Sequence, residues 1–282
     1  MASTKPASKE DLRNIGSRNV IQIVPTRDTV RPHHLHDDDS DTSAHRPLTA
    51  PTGPGGADNF HNVAGSQIKV PHVTNIYMGE FWGDREFVEG FSKAVVENGY
   101  LDPLKELKYG TGSGKYLGSF DGTALKARST FSESDAEATL KQLQAAKKIH
   151  VTENSLFMLI LPKGVSASTS DGAKSCSQFC GFHDAFEHGG KTIAFAVLPS
   201  SLCKGCGGKI GDFTAVYAHE LAEACTDKVP GKGWVADDGE ENGDLEAWDL
   251  FGWGPPEDPN RYTVQGYYTN ERGNTTGKWK SS

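Results

Sequence analysis

Long apolar runs are missing from this sequence. The best of them, Leu156 to Leu161, falls far short of the roughly 20 residues that a membrane-spanning helix needs. Basic charge is in deficit. Twenty-nine Lys and Arg stand against 37 Asp and Glu, a formal charge of −8, which argues against nucleic acid or an anionic membrane as the main partner. Residues 1–25 show no basic segment followed by an apolar stretch, so no secretory signal is read there, and a cytoplasmic location stays open. No internal repeat is visible. Apolar residues make up only 36% of the chain, while Gly and Pro number 32 and 14, the composition of a loop-rich protein.

What is present is unevenly spread. The 282 residues suffice for one or two domains. Six of the 14 prolines and five of the ten histidines precede Val70. Residues 1–65 therefore read as a disordered polar tail, with the charged stretch His33–Asp39 and linker chemistry at Pro51–Gly56. Its one apolar patch, Val20–Val24, is a candidate docking strand. Order is expected from Gln67, in a domain over 66–282. Strands are predicted at Thr74–Met78, Leu156–Leu161, Thr192–Leu198, Tyr262–Val264 and Tyr267–Thr269. Helical spacing covers Arg85–Asn98, where Phe87, Phe91 and Val95 recur, and a second helix opens at Ser132 and runs to about Ile149. The elements mix without strict β-α-β alternation, which predicts an α+β fold.

A third helix, over 212–228, carries the chemistry. It reads Ala218-His219-Glu220-Leu221-Ala222-Glu223. His219 and Glu223, four apart, share one face of a helix one turn apart, as two ligands to one metal must. Glu220 is offset around the helix, free to approach water as a general base, the logic of the His-Glu-x-x-His helix with Glu in place of the second His. A surface helix with a solvated acidic face is the plain alternative. The apolar approach Phe213, Ala215, Val216, Tyr217 and Ala218 argues instead for burial, where such a cluster is costly unless paired or metal-bound. An acidic loop over 237–249 follows, with seven carboxylates and no Lys or Arg from there to Arg261, and can supply a third ligand. It does not fit the EF-hand calcium pattern.

Cys176, Cys180, Cys203 and Cys206 form a Cys-x3-Cys, Cys-x2-Cys set that permits a four-Cys zinc knuckle or two disulfides. Cys225 lies on the metal helix, away from the His219–Glu223 face, and is expected buried. His183 reads as a structural histidine. Gly112-Ser113-Gly114-Lys115 lacks both the upstream Gly and the following Ser or Thr of a phosphate loop. The aromatic residues after Trp248 suit packing or a carbohydrate or peptide groove.

These blocks in this order resemble the Exordium, or phosphate-induced, family of plant secreted proteins and related fungal and bacterial proteins. The resemblance is carried by Cys176-Ser177-Gln178-Phe179-Cys180-Gly181-Phe182-His183, Cys203-Lys204-Gly205-Cys206, Ala218–Glu223, Thr226-Asp227, Gly233-Trp234 and Glu241-Asn242-Gly243-Asp244-Leu245, with Ile76–Trp82 upstream. Glu246 stands where the family often has Cys. The resemblance implies a zincin-like domain that holds Zn2+ through His219, Glu223 and Asp244, with Glu241 as the alternate third ligand and Glu220 as base. It also implies a secreted protein, and hence disulfides at the four cysteines. Two functions then compete. One is a zinc-dependent hydrolase, most simply a peptidase acting on a peptide or protein. The other is a non-catalytic cell-wall or growth-signalling protein that keeps the metal as a structural staple. A four-Cys zinc module binding nucleic acid is disfavoured by the acidic balance.

Overall fold

Alternation along the wholly buried run Ser155–Ile160 sends Leu156, Met158 and Ile160 into one apolar cluster and Phe157 and Leu159 into another. A strand buried on both faces needs helices or loops on both. The computed structural model describes residues 23–25, 60–126, 129–202, 205–237, 239–245, 247–255, 257–258 and 261–280. The elements run β1 (Ile23–Pro25), β2 (His61–Asn62), β3 (His72–Tyr77), α1 (Arg85–Glu97), α2 (Asp102–Glu106), β4 (Lys115–Asp121), β5 (Thr130–Ser132), α3 (Glu133–Ala145), β6 (Ser155–Ile160) and β7 (Ser166–Ser168). They continue with β8 (Phe179–His188), β9 (Lys191–Leu198), α4 (Ile210–Thr226), β10 (Trp234–Val235), β11 (Leu250–Trp253), β12 (Tyr262–Gln265), β13 (Tyr267–Thr269) and β14 (Gly273–Thr275).

The central sheet has the order β1-β8-β9-β6-β3-β4. Strands β4, β3, β6 and β9 are parallel; β8 pairs antiparallel with β9, and β1 antiparallel with β8. Val88 and Phe91 of α1 and Phe213, Tyr217 and Leu221 of α4 cover one face, while Ala136, Leu140 and Leu143 of α3 cover the other. The result is a three-layered mixed α/β domain. Its centre is more parallel than the expected α+β pattern, because β3, α1 and β4 form a β-α-β unit. Strand β4 closes the Gly-rich, aromatic stretch Lys108–Phe120, which reads as loop and strand.

Local chemistry sets the helix ends. Asp84 accepts a hydrogen bond from Phe87 N at 3.0 Å and caps α1. Ser132 and Asp135 form a reciprocal capping box at the start of α3. That helix stops at Ala145, short of the expected Ile149, because Lys147 turns left-handed (φ 55°) and Lys148 N bonds back to Leu143 O. Helix α4 spans Ile210–Thr226 in place of the expected 212–228. Asp212 Oδ2 accepts Lys209 N at its start, and after its end the Asp227 carboxylate accepts backbone N–H groups of Gly231 and Lys232.

The ordered chain reaches back beyond the expected boundary at residue 66. Phe60 is buried, bonded to the Asn270 side chain through both N and O, and β2 pairs with β10. Within the candidate docking patch, Ile23–Pro25 pairs with β8, Ile23 opposite Phe182 and Val24 opposite Gly181. The rest of that patch, His33–Asp39 and Pro51–Gly56 lie outside the described residues. The late aromatics pack: Trp253 meets Tyr100 and Trp279, and Tyr262 meets Phe87 and Phe91. Among the described residues no helix is long and apolar enough to cross a membrane.

Candidate metal centre

Helix α4 is buried along nearly its whole length, so its polar residues face protein. His219, Glu220 and Glu223 are all at or below 1% exposure. His219 Nε2 lies 2.7 Å from Glu223 Oε1 and 3.8 Å from Asp244 Oδ1. These three side chains form one group able to hold a metal ion. Asp244 is brought there by its loop: its Oδ2 accepts Glu241 N at 3.0 Å, which turns Oδ1 toward His219. Gly243 lets the loop come close. Its φ is 131°, and a Cβ there would sit 3.3 Å from His219 Nδ1 and 3.4 Å from Glu223 Oε1. Glu241, the alternate third ligand, is buried on another side of the cluster, with Oε2 3.6 Å from His183 Nε2. Asp227 is committed to the backbone turn that follows α4.

Two residues that the sequence reading did not place in the site belong to its walls. Gln265, at the end of β12, sets its Nε2 2.6 Å from His219 Nδ1 and donates to Gly243 O at 2.9 Å, while its Oε1 accepts Trp248 N. A cation on His219 Nε2, proton or metal, leaves Nδ1–H in need of an acceptor. A half-turn of the Gln265 amide would offer Oε1 for that purpose, at the cost of its hydrogen bonds with Gly243 O and Trp248 N. His183, read as structural, is fully buried on β8, and its Nε2–H donates to Asp227 O at 3.1 Å. Its Nδ1, however, faces Glu220 Oε2 at 3.6 Å and Glu223 Oε2 at 3.5 Å and has no hydrogen-bond partner. Strand alternation was the available signal: Gly181 and His183 both point toward α4.

The electrostatics are those of a cluster short of positive charge. Neither carboxylate oxygen of Glu220, Glu223 or Glu241 has a hydrogen-bond partner. Burial raises Glu220 to about 7, and it also pushes Glu241 and Asp244 well above the usual carboxylate range. Glu223 goes the other way. Burial opposes its charge, but His219 and His183 outweigh that and hold it down to about 2. Burial likewise disfavours protonation of His219, yet Glu223, Glu220 and Asp244 lift it to about 9.

The cysteines correct one expectation. Cys180 and Cys206 form a disulfide, with Cα atoms 5.6 Å apart, which removes the four-Cys zinc knuckle. Cys176 is disulfide-bonded as well, and Cys203 lies outside the described residues. Cys225 is buried on α4, outside any disulfide, its thiol pushed up to about 12 by burial. A disulfide of this kind is consistent with an extracellular protein. No protein-family model, curated protein or solved structure matches the chain, so the site is read from its own geometry.

Proposed function

We propose that this chain is a zinc-dependent hydrolase of zincin-like design, acting on peptide bonds. The observation that carries the reading is the convergence of His219 Nε2, Glu223 Oε1 and Asp244 Oδ1, buried beside a carboxylate, Glu220, whose pKa is raised to about 7. The donor set fits the ion: one imidazole nitrogen and two carboxylate oxygens are ordinary zinc ligands, and the orphaned carboxylate oxygens need a cation. The ion would supply Lewis acidity and acidify water. Glu220, poised near neutrality, would take the water proton and return it to the leaving amine. Glu223 and Asp244 neutralise more of the ion's charge than a two-His set does, which predicts weak or narrow activity.

The test is zinc content by elemental analysis, combined with a peptidase screen. Wild type should bind zinc and cleave. Glu220→Gln should keep the ion held by His219 and lose about 10²–10⁴-fold in rate. A Glu220→Gln protein with full activity overturns the mechanism.

A second reading has an observation of its own. His219 and Glu223 are shielded from solvent, and only the Asp244 side chain, at 11%, is partly open. That burial favours a metal kept as a structural staple in a non-catalytic secreted protein, the other function implied by the resemblance to the Exordium family. Zinc bound without cleavage of any peptide, and a melting temperature that collapses on chelation, would select it.

A further inference from the structure

The His219 group leaves His183 Nδ1, Glu223 Oε2 and both carboxylate oxygens of Glu220 and Glu241 unexplained. His183 commits its Nε2–H to a backbone carbonyl and turns Nδ1 toward two carboxylates. A cation, either a proton or a metal ion, must lie between that nitrogen and the carboxylates. All of these atoms are fully buried and unpartnered. Their spacing is suggestive. Donors about 2.1 Å from one ion at tetrahedral angles stand about 3.4 Å apart, and His183 Nδ1 is 3.6 Å from Glu220 Oε2 and 3.5 Å from Glu223 Oε2. A metal-ligating histidine characteristically donates its other N–H to a carbonyl or carboxylate, and His183 already does so.

We propose that His183 Nδ1, Glu220 Oε2 and Glu223 Oε2 form a second divalent-cation site, bridged to the first by the Glu223 carboxylate. Glu223 presents Oε1 to His219 and Oε2 to His183, one oxygen to each ion. Carboxylate-bridged ions of this kind sit about 3.5–4 Å apart. Charge agrees. With the carboxylates of Glu220, Glu223, Glu241 and Asp244 ionised and both imidazoles neutral, as in a metal-loaded cluster, two divalent ions balance the charge where one does not. Resting on the proposed hydrolase reading, the second ion is an inhibitor. Glu220 is the base while one ion is bound and a ligand once the second enters, so excess zinc suppresses turnover.

The experiment is titration of chelator-stripped full-length protein with Zn2+, followed by calorimetry, with the bound metal counted by elemental analysis. Wild type is expected to take two ions, and His183→Asn and His219→Ala one each. One ion in wild type and still one in His183→Asn overturns the second site. One ion that is lost in His183→Asn but kept in His219→Ala leaves the second site standing and sinks the hydrolase centre instead. No ion in wild type overturns both. Should a variant misfold, wild type alone decides: with two equivalents of Mn2+, paramagnetic resonance should show a spin-coupled pair, and an uncoupled six-line spectrum at that loading refutes the bridge.

Discussion

Glu223 is shared between two histidines, and that sharing sets how the metal-free protein responds to pH. His219 is lifted from 6.5 to about 9, so its contribution to stability is complete below 6.5 and is lost as pH rises through about 9. Glu220, raised from 4.5 to about 7, acts in the same direction, because the fold must ionise a buried acid over that interval. Glu223, lowered from 4.5 to about 2, contributes above 4.5 and fails only as pH falls toward 2. The chelator-stripped protein should therefore melt at its highest temperature near pH 5 and progressively lower up to pH 9. Zinc should flatten the decline, since binding displaces the same protons. Scanning fluorimetry with and without chelator checks this, and a metal-free melting temperature that rises across the interval would refute it. Gln265 gives a second test at this scale. Gln265→Leu removes the amide beside His219 and should weaken zinc binding about 10–100-fold, as loss of an outer partner typically does.

At the level of elements, the decisive contact is β8 against α4. Gly181 lies directly under Glu220: a Cβ there would come within 2.6 Å of Glu220 Oε1 and 2.8 Å of Val216 Cγ1. Gly181→Ala should cost about 1–3 kcal/mol through overpacking and displace Glu220. Urea unfolding reads the first effect and zinc stoichiometry the second. This contact also marks the limit of what the sequence disclosed. Helix α4 was legible because a four-residue spacing fixes His219 and Glu223 on one face, whatever the tertiary setting. Strand β8 was hidden because Cys180, with Cys176 just before the strand, read as part of a disulfide or zinc block, and His183 was set aside as structural. Periodicity could not choose between Glu241 and Asp244, because the fold of the 241–244 loop aims them, not any repeat. Gln265 carried no signal, being one polar residue at the end of a short strand whose partner is 46 residues away.

For the whole molecule, the Cys180–Cys206 bond staples β8 to the segment that leads into α4, across 26 residues of sequence. In the loop-entropy picture a closure of that length stabilises by roughly 3–4 kcal/mol. Cys206→Ser should lower the melting temperature accordingly, and a reductant, which also opens the bond of Cys176, should lower that of wild type at least as far. The site draws on β8, α4, the 241–244 loop and β12, so no fragment of the domain contains it. The cover over His219 and Glu223 has a kinetic consequence. The loop carrying Gly243 must lift before an ion can leave, so metal release should follow the opening rate of that loop. Exchange into a strong chelator should then reach a plateau rate that no longer depends on chelator concentration, and a substitution that loosens the loop, such as Asn242→Ala at its hydrogen bond to Tyr268 O, should raise the plateau.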